Sequence, residues 1–330
     1  AEIEKIYYSK DFSKPQWDKV GKIYYNQVIK EDYINTLLSI VNIKPGLKVV
    51  IDTASGAGSE LSPLIFRMAG CNVITLNSQP DGHFPGRRPE PKDENLGDLK
   101  SVVLATKSDI GIAHDGDADR MIAVDDKGRT SDFDKLLAII SKKHAKKGAK
   151  IITTVDGGLC IDEAVNSAGG EVIRTKVGDV FVGEEILKEK AVFGGEPSGT
   201  WIHPDFSMCP DGLLSGLKIA EIVSNEGKLS KLLDDIPIYP NYREKIECSD
   251  EEKIKVMKAV EKDIESHFDD VKSVNTIDGV RLGFEDGSWV LIRPSGTEGY
   301  VRVTLEGKTQ EEADKIRDIS VDFINKSLGL

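Results

Sequence analysis

A unit that occurs twice constrains this chain more than any other feature. A β-rich run, Val49 to Asp52, leads into a Gly-Ala-Gly turn, a helical stretch from Leu61 to Met68 and a second β-rich run, Val73 to Leu76. About 100 residues later the series returns as Ile151 to Thr154, a Gly157-Gly158 turn, a helix ending at Ala168-Gly169-Gly170 and the run Val172 to Thr175. The stretches AGCNVI and AGGEVI align. Strand, helix and strand in this order form a βαβ unit, so the repeat predicts two consecutive α/β lobes with parallel sheets. Each lobe continues into a further helix and strand, Ile110 to His114 in the first and Ala191 to Gly194 in the second. Both strands run into polar, glycine-containing loops, and the ends of such strands are where α/β sheets bind ligands.

After a helical stretch near Gly212 to Val223 the period changes. The segment IPIYPNYREKIE reads as a linker. Beyond it come a helical spacing over Glu251 to His267, a strand-and-turn pattern over Gly279 to Arg293, a strand at Tyr300 to Leu305 and a closing amphipathic helix over Gln310 to Ser327. The last unit is therefore expected to be α+β and smaller. A length of 330 residues accommodates two or three domains.

Composition excludes several classes of partner. The chain carries 44 Lys and Arg against 56 Asp and Glu, a net charge of −12, which argues against a nucleic-acid backbone binder. No apolar run is long enough for a membrane helix and the start lacks a secretion signal, so a cytoplasmic protein is expected, with no nucleic acid and no membrane as partner. Cys71, Cys160, Cys209 and Cys248 form no CxxC pair and are expected to be buried small residues. The opening AEIEKIYYSKDF reads as a helix already under way, without an N-cap and without an initial Met.

Three loops carry chemistry. In HDGDADR, residues 114 to 120, Asp115, Asp117 and Asp119 alternate between two apolar strands and can converge on a hard cation, Mg2+ being the natural one. Arg120 stands where an EF-hand needs Gly and Asp126 where it needs Glu, which excludes that reading. A solvated acidic turn is the alternative, but three carboxylates this close repel one another unless something neutralises them. Arg120 can offset part of that charge or reach a substrate phosphate. In GGEPSGT, residues 194 to 200, Glu196 and Ser198 can bond vicinal hydroxyls while Gly195 and Gly199 permit close approach; an ordinary turn would use the same residues. KVGD, residues 176 to 179, can bring Lys176 to the same ligand. In RPSGTE, residues 293 to 298, a guanidinium, two hydroxyls and Gly296 supply a phosphate cradle, the alternative being a plain hairpin loop.

Other residues are set aside. Ser55, in TASG, is explained by a βα turn and is not taken as a nucleophile. His114 adjoins the acidic loop, and the other histidines show no ligand spacing. The stretch QPDGHFPGRRPEP, residues 79 to 91, reads as a long loop over the cleft.

Taken in order, HDGDADR, KVGD, GGEPSGT and RPSGTE resemble the α-D-phosphohexomutases, the family of phosphoglucomutase, phosphomannomutase and phosphoglucosamine mutase, over nearly the whole chain. The resemblance implies the fold class already reached, two α/β lobes followed by a smaller α+β domain. It divides the chain into a remnant of a first α/β domain plus linker (1–33), a second domain with the metal loop (34–129), a third with the sugar loop (130–241) and a C-terminal phosphate-binding domain (242–330). It implies that Asp115, Asp117 and Asp119 bind Mg2+ and that Arg120 assists phosphoryl transfer. Lys176, Gly178, Asp179, Glu196, Ser198 and Thr200 would bind the sugar, and Arg293, Ser295, Gly296 and Thr297 the phosphate that is not reacting. The implied partner is a phosphorylated hexose or hexosamine, shifted between 1- and 6-phosphate through a hexose 1,6-bisphosphate; no oligomeric state is implied.

Three departures qualify the resemblance. The family's phosphoserine lies in a TASHNP-type motif, which is absent, so a chain lacking most of the first lobe and inactive alone is expected. Thr200 stands where many members have His, and Gly299 where Pro is common. A non-catalytic phosphosugar-binding protein and a Mg2+-dependent sugar-phosphate phosphatase remain alternatives.

Overall fold

The computed structural model describes residues 2–26, 28–295 and 298–329. Helix α1 (Glu2–Ser9) precedes the first unit, which contains helix α2 (Val28–Ser39), strand β1 (Lys48–Asp52), α3 (Leu61–Met68), β2 (Asn72–Leu76), α4 (Gly97–Thr106), β3 (Ile110–His114) and β4 (Met121–Val124). Its sheet has the order β2-β1-β3-β4, with β1 parallel to β2 and β3, and β4 antiparallel to β3. All of β3 and β4 is buried, His114 included, as expected of largely apolar strands covered on both faces.

The second unit repeats this plan with α5 (Phe133–His144), β5 (Lys150–Thr154), α6 (Leu159–Ser167), β6 (Glu171–Thr175), α7 (Asp179–Glu189), β7 (Phe193–Gly195), β8 (Trp201–Ile202), α8 (Gly212–Glu226) and α9 (Leu229–Asp234). Its order, β6-β5-β7-β8, is the order of the first sheet. The repeated Ala-Gly is the same physical device in both places. Gly70 and Gly169 take φ of +90° and +84° after α3 and α6, and the next N–H reaches back to a carbonyl five residues earlier, Cys71 to Phe66 and Gly170 to Val165. Each helix is thereby stopped and the chain turned into the following strand.

The third unit is α+β, as expected: β9 (Asn241–Glu247), α10 (Asp250–Asp263), β10 (Val271–Asn275), β11 (Val280–Phe284), β12 (Trp289–Pro294), β13 (Tyr300–Glu306) and α11 (Gln310–Leu328). The sheet is antiparallel in the order β10-β11-β12-β13-β9, and it packs against α10 and α11 through Val256, Val260, Val290, Val303 and Ile316. Ser249 and Glu252 form a capping box at the start of α10.

Three expectations are corrected. The second half of the supposed linker is β9, paired with β13 from Tyr300↔Glu247 to Glu306↔Asn241. It is an edge strand of alternating exposed and half-buried residues, so its charges are compatible with pairing. The strand expected at Ala191 to Gly194 is displaced to Phe193–Gly195. Among the cysteines, Cys71 and Cys160 are buried, whereas Cys209 is exposed and Cys248 half-buried.

One apolar core runs through the first two units, including Val50, Ile112, Leu137, Phe193 and Leu217. Helix α8 belongs to the second unit but lies on the first sheet, with Gly216 facing Ile112 and Phe66. Helix α1 has no buried residue, and Trp17 and Tyr25 beyond it are about nine-tenths exposed. No helix among the described residues is long and apolar enough to cross a membrane.

Candidate active site

The acidic loop leaves β3 at His114 and returns in β4 at Met121, so an antiparallel pair holds both of its ends. One carboxylate oxygen each from Asp115, Asp117 and Asp119 lies within 4.8 Å of the others. Asp115 is buried, Asp119 half-buried and Asp117 exposed. The Arg120 Nε donates to Asp115 at 2.7 Å, and its backbone N–H donates to the same carboxylate at 3.2 Å. Burial works to raise the Asp115 carboxyl, but the Arg120 charge and hydrogen bonds prevail and hold it low. Asp119 behaves oppositely: burial, then the charges of Asp115 and Asp117, push it up to about 7. Its Oδ1 is buried and accepts no hydrogen bond. Three converging hard oxygen donors, one of them unsatisfied, fit a divalent cation such as Mg2+.

The remaining Arg120 donors are engaged by Glu90, with Nη1 at 2.9 Å and Nη2 at 3.1 Å from its two oxygens. Glu90 belongs to the 79–91 loop, which also supplies Arg87. That side chain is buried, with Nε 2.9 Å from Asp52 at the end of β1 and Nη2 2.6 Å from the His114 carbonyl. The loop is therefore bound to the carboxyl ends of two strands, and sequence reading missed both of its site-facing residues. His114 stands behind the acidic loop, its ring nitrogens 2.8 Å from Ser62 Oγ and 3.3 Å from the Arg120 carbonyl. Burial drives its pKa down to about 4, so near neutrality it is an uncharged brace.

The GGEPSGT loop, residues 194–200, expected to bind sugar and named the sugar loop for that, connects β7 to β8 and touches the acidic loop directly. Arg120 forms a β-bridge with Thr200, and the Met121 N–H donates to the Gly199 carbonyl. Gly199 has φ of +86°, and a Cβ there would lie 2.2 Å from the Met121 oxygen, so this junction requires glycine. Ser198 and Thr200 hydroxyls are 3.0 Å apart. Glu196 accepts from the Gly178 N–H at 3.1 Å, and burial pushes its carboxyl up to about 7. Gly178 caps α7, whose first residue is Asp179, while Lys176 is exposed with Nζ 5.6 Å from the centre of the Phe181 ring.

The line of contacts continues into the third unit. The Val177 N–H donates to Asp278 Oδ2 at 3.3 Å, and Arg293 Nη1 donates to the same oxygen at 2.9 Å. Ser295 Oγ accepts from the Glu298 N–H at 3.1 Å, while Lys253 Nζ donates to the carbonyls of Ser295 and Glu298. Gly296 and Thr297 lie outside the described residues. Thus the acidic loop, the sugar loop, the 176–179 turn and Arg293 are joined in series. A cleft of about 250 Å³ lined by Tyr33, Gly58, Asp117, Asp119 and Asp211 opens beside the acidic loop.

Comparison with known proteins matches three family models. Residues 31–128 match phosphoglucomutase/phosphomannomutase alpha/beta/alpha domain II, 132–239 match alpha/beta/alpha domain III and 244–322 match the C-terminal domain. A probable phosphoglucosamine mutase of Methanobrevibacter smithii is 59% identical over 328 residues, which are 99% of this chain and 72% of the relative. The phosphoglucosamine mutase of Methanococcus maripaludis strain C5 is 48% identical over 98% of this chain and 73% of its own length. Among solved structures, a phosphoglucomutase/phosphomannomutase family protein of Burkholderia thailandensis superposes with a TM-score of 0.88 at 26% identity, covering 98% of this chain and 69% of that one. An Aspergillus fumigatus N-acetylphosphoglucosamine mutase, solved with GlcNAc-6P and magnesium, shares the fold with a TM-score of 0.58 at 16% identity, over 89% of this chain and 68% of that one.

Proposed function

The chain belongs to the phosphoglucomutase/phosphomannomutase family, and from that premise we propose that it carries the metal, sugar and distal-phosphate sites of a mutase acting on phosphorylated hexosamine, glucosamine phosphate first. The observation that carries this reading is the unbroken series of contacts joining the three converging carboxylates to Arg293 through Gly199, Glu196 and Asp278.

In this reading Asp115, Asp117 and Asp119 hold Mg2+, which when bound neutralises charge on a transferring phosphoryl group. Arg120, locked by Asp115 and Glu90, presents a fixed positive charge beside that position. Glu196, Ser198 and Thr200 bond sugar hydroxyls, with Lys176, Gly178 and Asp179 at the neighbouring turn. A carboxyl with a pKa near 7 can hold or release a proton at a hydroxyl near neutral pH. Arg293 and Ser295, with Gly296 and Thr297 of the same loop, take the distal phosphate. A shift between 1- and 6-phosphate through a 1,6-bisphosphate needs such a cradle, because it must accept the sugar in either orientation.

Ser55 is assigned to its turn and not to phosphoryl transfer. Its φ is +58°, its N–H donates to the Asn77 carbonyl and its own carbonyl accepts from Asp81.

Calorimetric titration of the chain with glucosamine 6-phosphate, and a thermal melt with Mg2+, test the proposal. Binding that weakens roughly tenfold in Arg293→Lys is expected, since Lys cannot replace a bidentate guanidinium. Mg2+ should raise the melting temperature of the wild type and leave Asp119→Asn unmoved. No sugar-phosphate binding by the wild type would remove the proposal, and inorganic phosphate release from glucosamine 1-phosphate with no bisphosphate would favour a phosphatase.

A further inference from the structure

We propose that Asp278 is a positioning residue, which sets the orientation of the Arg293 guanidinium for a sugar-bound phosphate and fixes the phosphate loop against the 176–178 turn. The inference rests on the proposed role of Arg293 in phosphate binding, and deepens it. A single oxygen, Asp278 Oδ2, accepts from Arg293 Nη1 at 2.9 Å within the third unit and from the Val177 N–H at 3.3 Å in the second. The next amide along, that of Gly178, is taken by Glu196 of the sugar loop. Two successive backbone donors thus register the phosphate loop and the sugar loop against one turn, and Asp278 is the only carboxylate in this series contributed by the third unit.

The backbone supports the same role. Asp278 lies in the turn between β10 and β11, and the following Gly279 has φ of +77°. A Cβ at Gly279 would sit 2.3 Å from the Ile292 carbonyl and 2.7 Å from Arg293 Cβ. The Asp-Gly turn is therefore pressed against the backbone of Arg293, and glycine is what permits the approach. The pair is also incomplete on the arginine side. Asp278 engages Nη1 alone, Nε is buried without a partner among the described residues, and the two side chains are 18% and 29% exposed. A carboxylate that held the guanidinium merely for stability would be expected to take both nitrogens of one edge. Here one nitrogen is fixed and other donors are left to a second anion, which is the arrangement for presenting a guanidinium to phosphate.

The sign of the effect separates this role from a competing one. A carboxylate near an incoming phosphate repels it, so if Asp278 merely occupied the arginine in the free protein, neutralising it would tighten binding. If it positions the arginine, neutralising it weakens binding. The test is titration of the full chain with glucosamine 6-phosphate for the wild type, Asp278→Asn, Arg293→Lys and the double variant, with thermal melts to confirm folding.

Asp278→Asn preserves the side chain's shape, and the expected result is binding weakened about tenfold, with no additional loss when it is combined with Arg293→Lys. Such non-additivity in binding, with melts unchanged, is what one side chain acting on the ligand through the other produces. As a readout independent of ligand, hydrogen exchange at the Val177 amide should quicken in Asp278→Asn while the segment 194–200 stays as in the wild type. Unchanged or tighter binding in Asp278→Asn, or additive losses in the double variant, would overturn the inference while leaving the phosphosugar reading intact. Absence of binding by the wild type would overturn both.

Discussion

At the scale of single residues, the acidic loop and the buried histidines show how position sets charge. Asp115 and Asp119 are chemically identical and four residues apart, yet one is held low by Arg120 and the other raised by burial and its neighbours. His203 lies beneath α8, with Nε2 3.1 Å from Ser215 Oγ, and burial, His144 and Lys218 lower its pKa to about 3. Between the ordinary histidine pKa of 6.5 and about 3, the unfolded chain binds a proton that the native state does not. Stability is therefore lost as pH falls through this window, by about 1.4 kcal/mol per pH unit for one such group. Asp134 and Glu196, raised to about 7, work in the opposite direction, so the comparison must be with His203→Gln, in which they are unchanged. Chemical denaturation at pH 7 and pH 5 should show a smaller acid-induced loss in the variant; equal losses would contradict the buried neutral histidine. The alternating carboxylates were legible in the sequence. The partners Glu90 and Arg87 were not, because a Pro- and Gly-rich loop carries no periodicity to show which of its side chains turns inward.

At the scale of elements, the site is made where strands end. The Ala-Gly stops after α3 and α6 were readable as a repeat because a left-handed residue at a helix terminus has a sequence signature. Strand β9 lacked one: its residues are half-buried at best, it follows two prolines, and only its pairing with β13 makes it a strand. The junction between the acidic and sugar loops is the element on which the site depends most. Gly199→Ala would set a Cβ against the Met121 oxygen at a φ that alanine adopts poorly. A cost on the order of 2 kcal/mol or more is expected. Thermal melting should fall accordingly, with loss of glucosamine 6-phosphate binding; a wild-type melt would show that the two loops are not held at this point.

At the scale of the whole molecule, the question is what ties the third unit to the second. Glu306 on β13 accepts from the Leu159 N–H at the start of α6 at 2.7 Å and from Trp289 Nε1 at 3.2 Å. It borders an interdomain cavity of about 250 Å³ that Asp134, Arg243 and Trp289 also line. Val155, Leu159, Trp289 and Leu291 bury apolar surface across the same seam. Glu306→Ala would leave two donors unpaired, at about 1–3 kcal/mol. Scanning calorimetry should then resolve a separate, earlier transition for the third unit, whereas Glu306→Gln, which keeps an acceptor, should melt nearer to the wild type. A single unshifted transition in Glu306→Ala would assign the docking to apolar contact alone.

The sequence by itself determined the architecture and the chemical vocabulary. Strand and helix periods, stop glycines and turn residues act over a few neighbours, and so do the three carboxylates of one short loop. Only the tertiary structure decided which loops meet. Met121 reaches Gly199, Glu196 reaches Gly178, and Asp278 reaches both Arg293 and Val177, although Val177 and Asp278 are 101 positions apart in the chain. Such contacts arise because two sheets of the same strand order share a core and a third sheet docks on the second. Nothing in the local spacing of either partner encodes the distance between them.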